Sequence, residues 1–503
     1  MERWGSRLGA LMALIGGAVG LGNFLRFPFQ AAKWGGGAFL VPYFIALIGV
    51  GLPMVWMEMA LGRAGAHSGA QSAPSLLYNL LGRRGWYIGL LGVYGSLAVG
   101  SYYAYLTGWT LGYTYHALVG SFSGLSLEKV GEFHKRFIQE EGILFWGLTW
   151  IGTGFILSRS LNRGLEAVNL WGMPLLFALG VIIAIGAILI GDTGLCETCN
   201  SHVGIAYLYT PRWEELKRPA VWLAATGQVF FSIGVGFAMY PVYAASAVRL
   251  NPLQAGTQTV IANTLAEVGL GGLIVIPLTT AFLGLPYVEK HAGFGMGFTV
   301  MPYVLGQWGG RLLITAWYVL LFLAALSSLL AMGWVGTTWL AAIFGGKPQW
   351  WAWPLVGGLG LLGIPSVLGY EAGTLDLYDQ IAGTLGLTIA AIGHWWAFHK
   401  AQAWKAIEQE SSHPLSPVWK ALLRWLPPIF IGTLLVGSFF QPTGGDWGAA
   451  LKVLWTTGKW PWAADSLPRQ IAGAFHSTWN LIGLSALLLL ALMLVALRRR
   501  ARN

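Results

Sequence analysis

Charged side chains are scarce in this chain of 503 residues. Only 10% of the residues are Asp, Glu, Lys or Arg, whereas 55% are hydrophobic and the mean hydropathy is +0.61. Soluble domains carry about 25% charged residues, so the composition excludes an ordinary soluble protein. About twelve apolar stretches reach the ~20 residues that a membrane-spanning helix needs. They lie near residues 9–30, 37–62, 85–118, 143–160, 166–190, 219–247, 257–284, 311–343, 351–369, 375–399, 422–440 and 472–497.

Cysteines and catalytic motifs are also scarce. The two cysteines, Cys196 and Cys199, fall in a loop between the fifth and sixth apolar stretches. One CxxC pair lacks the two further ligands of a structural zinc site, which favours an inert disulfide over a metal site or a redox centre. The chain has no Walker-type phosphate loop, no nucleophile elbow and no cluster of His or Cys. We therefore predict that it is not an enzyme.

The net charge of +10 indicates membrane orientation rather than nucleic-acid binding. Fourteen of the 30 basic residues fall together on one side of the membrane if both termini are cytoplasmic, in agreement with the positive-inside rule. They are Arg3, Arg7, Arg63, Arg83, Arg84, Arg159, Arg163, Arg249, Lys347, Lys400, Lys405 and Arg498 to Arg500. We expect a multi-pass protein of a bacterial inner (plasma) membrane. The first apolar stretch carries a polar motif and no cleavage site, so we expect it to remain in the mature protein.

Two of the apolar stretches are interrupted. The first contains four glycines, an Asn and an Arg between Gly16 and Pro28, and the sixth contains Gln228, Ser232, Gly234 and Gly236 before Pro241. Unwound backbone within a bilayer is tolerated only where it is buried in protein or lines a polar cavity. Glycines can also serve close helix packing, but packing does not require the accompanying Asn and hydroxyls. Paired interruptions in two halves are typical of a transport site between inverted repeats.

The predicted fold is an all-α integral membrane protein of about twelve transmembrane helices, with a 5+5 inverted repeat and unwound first and sixth helices. Residues 1–190 would form the first repeat (spans 1–5) and residues 191–218 an outer loop with the CxxC pair. Residues 219–400 would form the second repeat (spans 6–10), and residues 401–503 two accessory spans and a basic C-terminus. An odd number of spans in each repeat gives the two repeats opposite topologies.

Six segments of the sequence resemble one family over nearly the whole chain. They are Ala18 to Pro28, Gly35 to Phe39 with Pro42 and Tyr43, Glu58 to Arg63, Tyr102 with Tyr103, Gln228 to Phe237, and Ala324 to Ser328. The family is that of the neurotransmitter:sodium symporters, and the branch is that of the bacterial, leucine-transporter-like amino-acid transporters. The resemblance implies sodium-coupled symport by alternating access, with Na⁺ at two sites.

The resemblance implies two groups of oxygen ligands, which suit a hard cation. The first group is the Ala18 carbonyl, Asn23, Ser232 and Asn263, completed by the carboxylate of the bound substrate. The second group is the carbonyls of Gly16, Val19 and Ala324 with the hydroxyls of Ser327 and Ser328. Taken alone, adjacent serines often bond to their own helix and an Asn often joins two membrane helices.

The substrate site is implied in the same way. Backbone N–H groups of Leu21 and Gly22 and the Tyr103 hydroxyl would bind a carboxylate, and carbonyls around Ala18, Phe231 and Ser232 would bind an amine. Aromatic-amine transporters of the family carry an aspartate where this chain has Gly20, which indicates a substrate with its own carboxylate. The side-chain pocket would be apolar, which favours a neutral, hydrophobic amino acid. Its members would be Val99, Phe231, Gly234, Phe237, Ser328 and Met332.

Charged residues are expected beside and above this site. Glu267 stands where chloride-dependent members have a serine, so it would substitute for chloride and could take up a proton. The alternative is a structural network of Glu267 with Glu58 or Gln228. Arg26 and Asp379 would form a water-bridged outer gate over the substrate, closing with Tyr103 and Phe231.

The inner side departs from the family. Met1, Ala342 and Ser246 stand where the family has a basic residue, an acidic residue and a tyrosine, so its intracellular salt bridge cannot be carried over. We predict a sodium-coupled, chloride-independent symporter of neutral amino acids whose partners are the amino acid, sodium ions and the lipid bilayer, without nucleic acid. The alternatives are a proton-coupled amino-acid or amine transporter, and a transporter-like receptor that binds an amino acid without moving it.

Overall fold

A computed structural model describes residues 2–66, 69–246, 250–410, 416–442, 447–463, 466, 468–469, 472 and 477–497. Within these residues the regular structure is helical, and extended pairing is limited to three isolated bridges. The all-α prediction is therefore confirmed. Met1, Arg249 and the basic residues Arg498 to Arg500 lie outside the described residues.

Eight helices of the described chain are long and apolar enough to cross a membrane. They are Gly37–Gly65, Leu165–Leu189, Pro252–Leu283, Met296–Phe344, Pro348–Leu368, Thr374–Lys400, Pro417–Gly437 and Thr478–Ala496. The bent pair formed by Arg7–Ala18 and Gly22–Lys33 adds a ninth. Gly142–Leu157, the broken helix that starts with Pro219–Ile233, and the long helix Arg83–Val119 complete the twelve expected spans. We number the spans in chain order and call the side predicted to be cytoplasmic the inner side.

Spans 1 and 6 are the broken spans, as the sequence predicts. Span 1 consists of Arg7–Ala18, a short non-helical break, and the segments Gly22–Arg26 and Phe27–Lys33, with a bend of 47°. Span 6 consists of Pro219–Ile233 and Met239–Ala245. Its break runs through Gly234 and Gly236, which have φ of 70° and 92°. Residues that carry a side chain rarely adopt such φ angles, so glycine at these two positions makes the break possible.

Short helices connect the spans on both sides. They are Ala73–Leu81, Leu127–Glu140, Ser201–Tyr209, Trp213–Lys217, Leu285–His291, Tyr370–Ala372, Trp404–Glu410 and Trp447–Thr457. The short segments Met296–Thr299 and Pro348–Trp351 begin spans 8 and 9. In the loop before span 6, Cys196 and Cys199 form a disulfide. This is the loop staple that the sequence favours. Among the described residues, no group of three or more His, Cys, Asp or Glu could hold a metal ion.

The molecule is apolar at its periphery and polar at selected points in its centre. Trp171 and Leu189 of span 5 are 80% and 76% exposed, as expected for side chains that face lipid. By contrast, Asn23, Asn263 and Glu267 are completely buried. Buried polar groups require partners, and these three lie beside the breaks. These three buried polar side chains therefore lie around the two broken spans.

Candidate functional site

The break in span 1 is bonded to side chains rather than to its own helix. Gly20 N–H donates to Asn23 Oδ1 at 2.8 Å, and Leu21 N–H donates to the Tyr103 hydroxyl at 3.0 Å. Both acceptors belong to residues that the sequence assigns to ligand binding. The freed backbone donors of this break are thus satisfied by groups that can exchange with a ligand's oxygens.

The first predicted group of sodium ligands comes together. Asn23 Nδ2 donates to Asn263 Oδ1 at 2.8 Å, and Asn263 Nδ2 donates to Ser232 Oγ at 2.8 Å. Ala18 lines the same cavity as Asn23 and Ser232. A flip of either amide exchanges its donor for its acceptor, so both amides can turn an oxygen to a cation. The donor set consists of uncharged oxygens and fits Na⁺.

The second predicted group is equally compact. Ser328 Oγ lies 3.3 Å from the Gly16 carbonyl oxygen, 3.4 Å from that of Val19 and 3.3 Å from that of Ala324. Ser327 Oγ lies 2.9 Å from the Ala324 oxygen and 3.5 Å from the Val19 oxygen. Five oxygens from spans 1 and 8 therefore converge. Several of the distances are long for hydrogen bonds, and the donor set suits a hard cation.

A cavity of about 40 Å³ lies between the two breaks. Every residue predicted for the substrate site lines it except Leu21, whose N–H bonds to Tyr103 and which lines a second cavity above. Its lining is Gly17, Ala18, Gly20, Gly22, Asn23, Val99, Tyr103, Phe231, Ser232, Gly234, Phe237, Met239, Ser328 and Met332. The cavity walls are mainly apolar, with hydroxyls and amides at the end near span 1.

Two features of this lining concern specificity. A Cβ atom on Gly20 would lie 2.8 Å from Ser328 Oγ and 2.9 Å from the Tyr103 hydroxyl, so a side chain there would displace both groups. Met239 was missed by the sequence reasoning. Its thioether lies against Gly17 and Gly234, where a Cβ atom would meet Met239 atoms at 2.8 Å. Only its place directly after the break could have indicated it.

Glu267 lies behind the first group of ligands. Its carboxylate accepts hydrogen bonds from the Tyr43 hydroxyl at 2.6 Å, from Ser232 Oγ at 2.8 Å and from Gln228 Nε2. Asn263 Nδ2 is 3.5 Å away. Glu267 is thus one bond from the predicted ion ligands, and its network includes Gln228 but not Glu58.

The outer side carries the predicted gate residues. Arg26 places its guanidinium 4.4 Å from the Phe231 ring centre, and Asp379 accepts a hydrogen bond from the Tyr102 hydroxyl at 2.6 Å. Both line a cavity of about 320 Å³ above the break. Within the described residues the two charges make no direct ion pair, so a water bridge between them stays a prediction.

On the inner side, uncharged donors at the N-terminal end of span 1 bond to one carboxylate. Glu166 of span 5 accepts from Gly5 N–H at 2.6 Å, Ser6 N–H at 2.9 Å and Ser6 Oγ at 2.9 Å. Trp4 donates its indole N–H to the Tyr243 carbonyl at 3.0 Å. Ala342 borders a cavity of about 710 Å³ on this side. Three hydrogen bonds to Glu166 therefore join the N-terminal end of span 1 to span 5.

The break in span 6 is bonded from behind the cavity. Glu58 Oε1 accepts from Gly236 N–H at 2.8 Å, Ser96 Oγ donates to the Phe237 carbonyl, and the Tyr240 hydroxyl donates to the Ile233 carbonyl at 2.6 Å. Neither Glu58 nor Ser96 lines the cavity between the breaks. These side chains form a scaffold for the break.

The comparisons with known proteins agree with this architecture. Residues 1–128 and 195–449 match the sodium:neurotransmitter symporter family. The chain is 28% identical to an uncharacterized sodium-dependent transporter of Methanocaldococcus jannaschii, over 86% of this chain and 89% of that protein. It is 26% identical to the sodium-dependent serotonin transporter of Drosophila melanogaster, over 87% of this chain and 76% of that protein.

A solved structure is similar over a comparable length. The crystal structure of MhsT in complex with L-phenylalanine matches with a TM-score of 0.76 and 28% identity, covering 87% of this chain and all of that chain. The family match spans well over half of the sequence, and it supports sodium-coupled membrane transport as the function of this chain. The chain belongs to the sodium:neurotransmitter symporter family.

Proposed function

We propose that this protein is a sodium-driven, chloride-independent symporter of neutral, hydrophobic amino acids. The observation that carries the proposal is a cavity that both breaks line, with amide and hydroxyl groups near span 1 and apolar side chains elsewhere. An amino acid has the same polarity, with charged groups at one end and its side chain at the other. A bacterial inner membrane with both termini in the cytoplasm completes the proposal, from the one-sided basic residues.

Substrate binding would exchange internal hydrogen bonds for bonds to the ligand. Leu21 N–H donates to the Tyr103 hydroxyl at 3.0 Å, and a carboxylate between them would accept from both. The same carboxylate would complete the first group of sodium ligands, next to Asn23. The ion and the amino acid would then each require the other, which is the physical basis of coupling. The second group, between spans 1 and 8, would bind the second Na⁺.

Glu267 would supply the negative charge that chloride supplies in other members. It is completely buried and hydrogen-bonded to Ser232, which belongs to the first sodium group. A fixed anion at this place would balance the charge of a bound cation in a low dielectric. We expect uptake by the wild type to be unchanged when gluconate replaces chloride, and uptake by Glu267→Ser to require chloride.

The test is binding and uptake of radiolabelled neutral amino acids, L-phenylalanine first, by purified protein and proteoliposomes with sodium or potassium. We expect sodium-dependent binding that Asn23→Ala abolishes and that Asn162→Ala, on an exposed loop, leaves unchanged. Binding that does not depend on sodium would overturn the symport mechanism in favour of proton coupling. Tight sodium-dependent binding without accumulation would favour a receptor.

A further inference from the structure

A buried carboxylate and a buried imidazole meet outside the site described above. His394 Nδ1 of span 10 lies 2.8 Å from Glu58 Oε1 of span 2, and both side chains are 0% exposed. The same Glu58 oxygen accepts the N–H of Gly236 in the break of span 6. Three spans that are far apart in sequence therefore meet at one oxygen atom.

Each partner also has an unused polar atom. Glu58 Oε2 and His394 Nε2 are buried and have no hydrogen-bond partner among the described residues. Buried polar atoms are nearly always bonded, so an unpaired one calls for a role. The hydrogen bond to Glu58 fixes the tautomer, because a carboxylate accepts the Nδ1–H and leaves the Nε2 lone pair free. That lone pair can take a proton.

The net charge of the Glu58–His394 pair determines in which conformation the pair would bind a proton. With a neutral imidazole the pair carries net charge −1, and with one more proton it carries none. A net charge is costly to bury and far less costly in contact with water. The protonated pair is therefore favoured while the helices are closed around it. Opening that admits water to the pair would favour release of the proton.

We propose that Glu58 and His394 form a proton-binding site whose occupancy is linked to the conformation of the span 6 break. The proton comes from water and adds to Nε2, the Nδ1–H bond to Glu58 is retained, and no other bond forms or breaks. In the protonated pair the carboxylate shares its charge with an imidazolium and is a weaker acceptor for Gly236 N–H. The proton thereby changes the bond that holds the break.

Other groups near the pair define the background for a pH measurement. Tyr240 of span 6 interacts electrostatically with Glu58 while its hydroxyl bonds to the Ile233 carbonyl. The remaining titratable or charged residues of the packed elements include Arg63, Tyr78, Arg83, Arg84, Tyr87, Tyr94, Tyr102, Tyr103, Tyr105, Tyr113, Tyr115, His116, Tyr243, Asp379, His399, Lys400, Lys405, Glu408, Lys420 and Arg424. Of these, Glu408 pairs with Lys420, and Asp379 is bonded to Tyr102. His399 lies on the same helix as His394 and provides a matched control.

The linkage to conformation rests on the proposed function, whereas proton binding by the pair does not. The linkage is tested by calorimetry of L-phenylalanine binding in sodium, in buffers that differ in ionisation enthalpy. Amino-acid binding would close the helices around the pair, so we expect uptake of about one proton for each amino acid bound. His394→Asn keeps a donor toward Glu58 but cannot hold the proton, so the uptake should disappear. His399→Gln should keep it. Proton uptake that persists in His394→Asn and vanishes in Glu267→Gln would overturn the proposal.

Proton binding itself is tested without substrate. Solid-state NMR of histidine-labelled protein in lipid should show one signal that is absent from His394→Asn and that titrates with pH. In Glu58→Gln, which keeps an acceptor for Gly236, we expect this titration to differ from that of the wild type because the paired charge is lost. A His394 signal that does not titrate would overturn the proton site even if transport is established. Titration without any amino-acid binding would leave the site standing and refute the proposed function.

Discussion

The unwound backbone needs hydrogen-bond partners in both broken spans, and spans 1 and 6 find these partners in different places. In span 1 the freed donors bond to Asn23 and Tyr103, which themselves line the cavity. In span 6 the freed Gly236 N–H donates to Glu58 and the freed Phe237 carbonyl accepts from Ser96, and both side chains stand behind the cavity. The first break is thus satisfied by exchangeable partners and the second by a fixed scaffold. Changes at the first should alter binding more than stability, and changes at the second should do the reverse.

The largest expected effect is on the stability of the span 6 break. In Gly236→Ala a methyl group would have to adopt φ of 92° and lie 2.7 Å from the Leu387 carbonyl oxygen, so we expect a loss of about 3 kcal/mol. The control is Gly22→Ala in span 1, where a Cβ atom meets only Phe231 carbons at 3.5 and 3.6 Å. There we expect less than about 1 kcal/mol of destabilisation, with weaker amino-acid binding. Thermal unfolding in detergent measures both, and equal losses of stability would refute the comparison.

A second effect concerns the outer cavity that leads to the first break. Burial lowers the pKa of His134, on the outer helix Leu127–Glu140, from 6.5 to about 4. The unfolded chain therefore binds more protons between these values, and stability falls by about 3 kcal/mol as the pH falls from about 6.5 to 4. His134→Gln, which can still bond to Tyr113, should lack this part of the pH dependence. His202→Gln, at an exposed position, is the control and should retain it.

The inner end of span 1 should respond to the loss of one carboxylate. Glu166→Gln replaces one of the two oxygens that together accept three hydrogen bonds by an NH₂ donor, and we expect it to cost about 1 to 2 kcal/mol and to speed hydrogen exchange at residues 5–9. Glu128→Gln on an exposed outer helix should change neither. Unchanged exchange in Glu166→Gln would mean that the other contacts of this end, made by Glu2, Trp4 and Arg7, are sufficient to hold it.

The smallest expected pair of effects contrasts one hydroxyl from each break. Tyr103→Phe removes the acceptor of Leu21 N–H, and we expect about tenfold weaker L-phenylalanine binding with little change in stability. Ser96→Ala removes the donor to the Phe237 carbonyl, and we expect a loss of about 1 kcal/mol in stability with nearly unchanged binding. If the two variants behave alike, the distinction between the breaks does not hold.

Much of the fold and the grouping of the candidate site could be predicted from the sequence. Glycines combined with Asn23 and Ser232 in apolar stretches indicate breaks, because hydrocarbon tolerates unwound backbone only around a cavity. The resemblance to a family grouped spans 1, 6 and 8, and their side chains lie together in the structure. The division into repeats and the roles of individual residues stay predictions.

The supporting contacts could not be predicted because they depend on packing between distant segments. Glu166 meets Gly5 across 161 positions, and Glu58 meets His394 across 336. No local pattern encodes such pairs. A weak signal existed for His394, since an ionisable residue within an apolar span is a functional candidate by default. For Met239 the one signal was its place directly after the break, because its side chain is ordinary for a core.

The inner half of span 1 can be viewed as a lever. Arg7–Ala18 has 12 residues and therefore an arm of about 18 Å. A rotation of 10° about the break moves the far end by about 3 Å, which exceeds the stretch that any hydrogen bond to Glu166 tolerates. On the face toward span 5 this arm presents Gly9 and Gly16, where a methyl group would overlap Glu166 and Asn169. The arm therefore packs closely against span 5 and also buries Leu14 and Ile15, so moving it breaks these contacts as well as its hydrogen bonds to Glu166. A rotation about the break therefore also releases the N-terminal end of span 1 from Glu166.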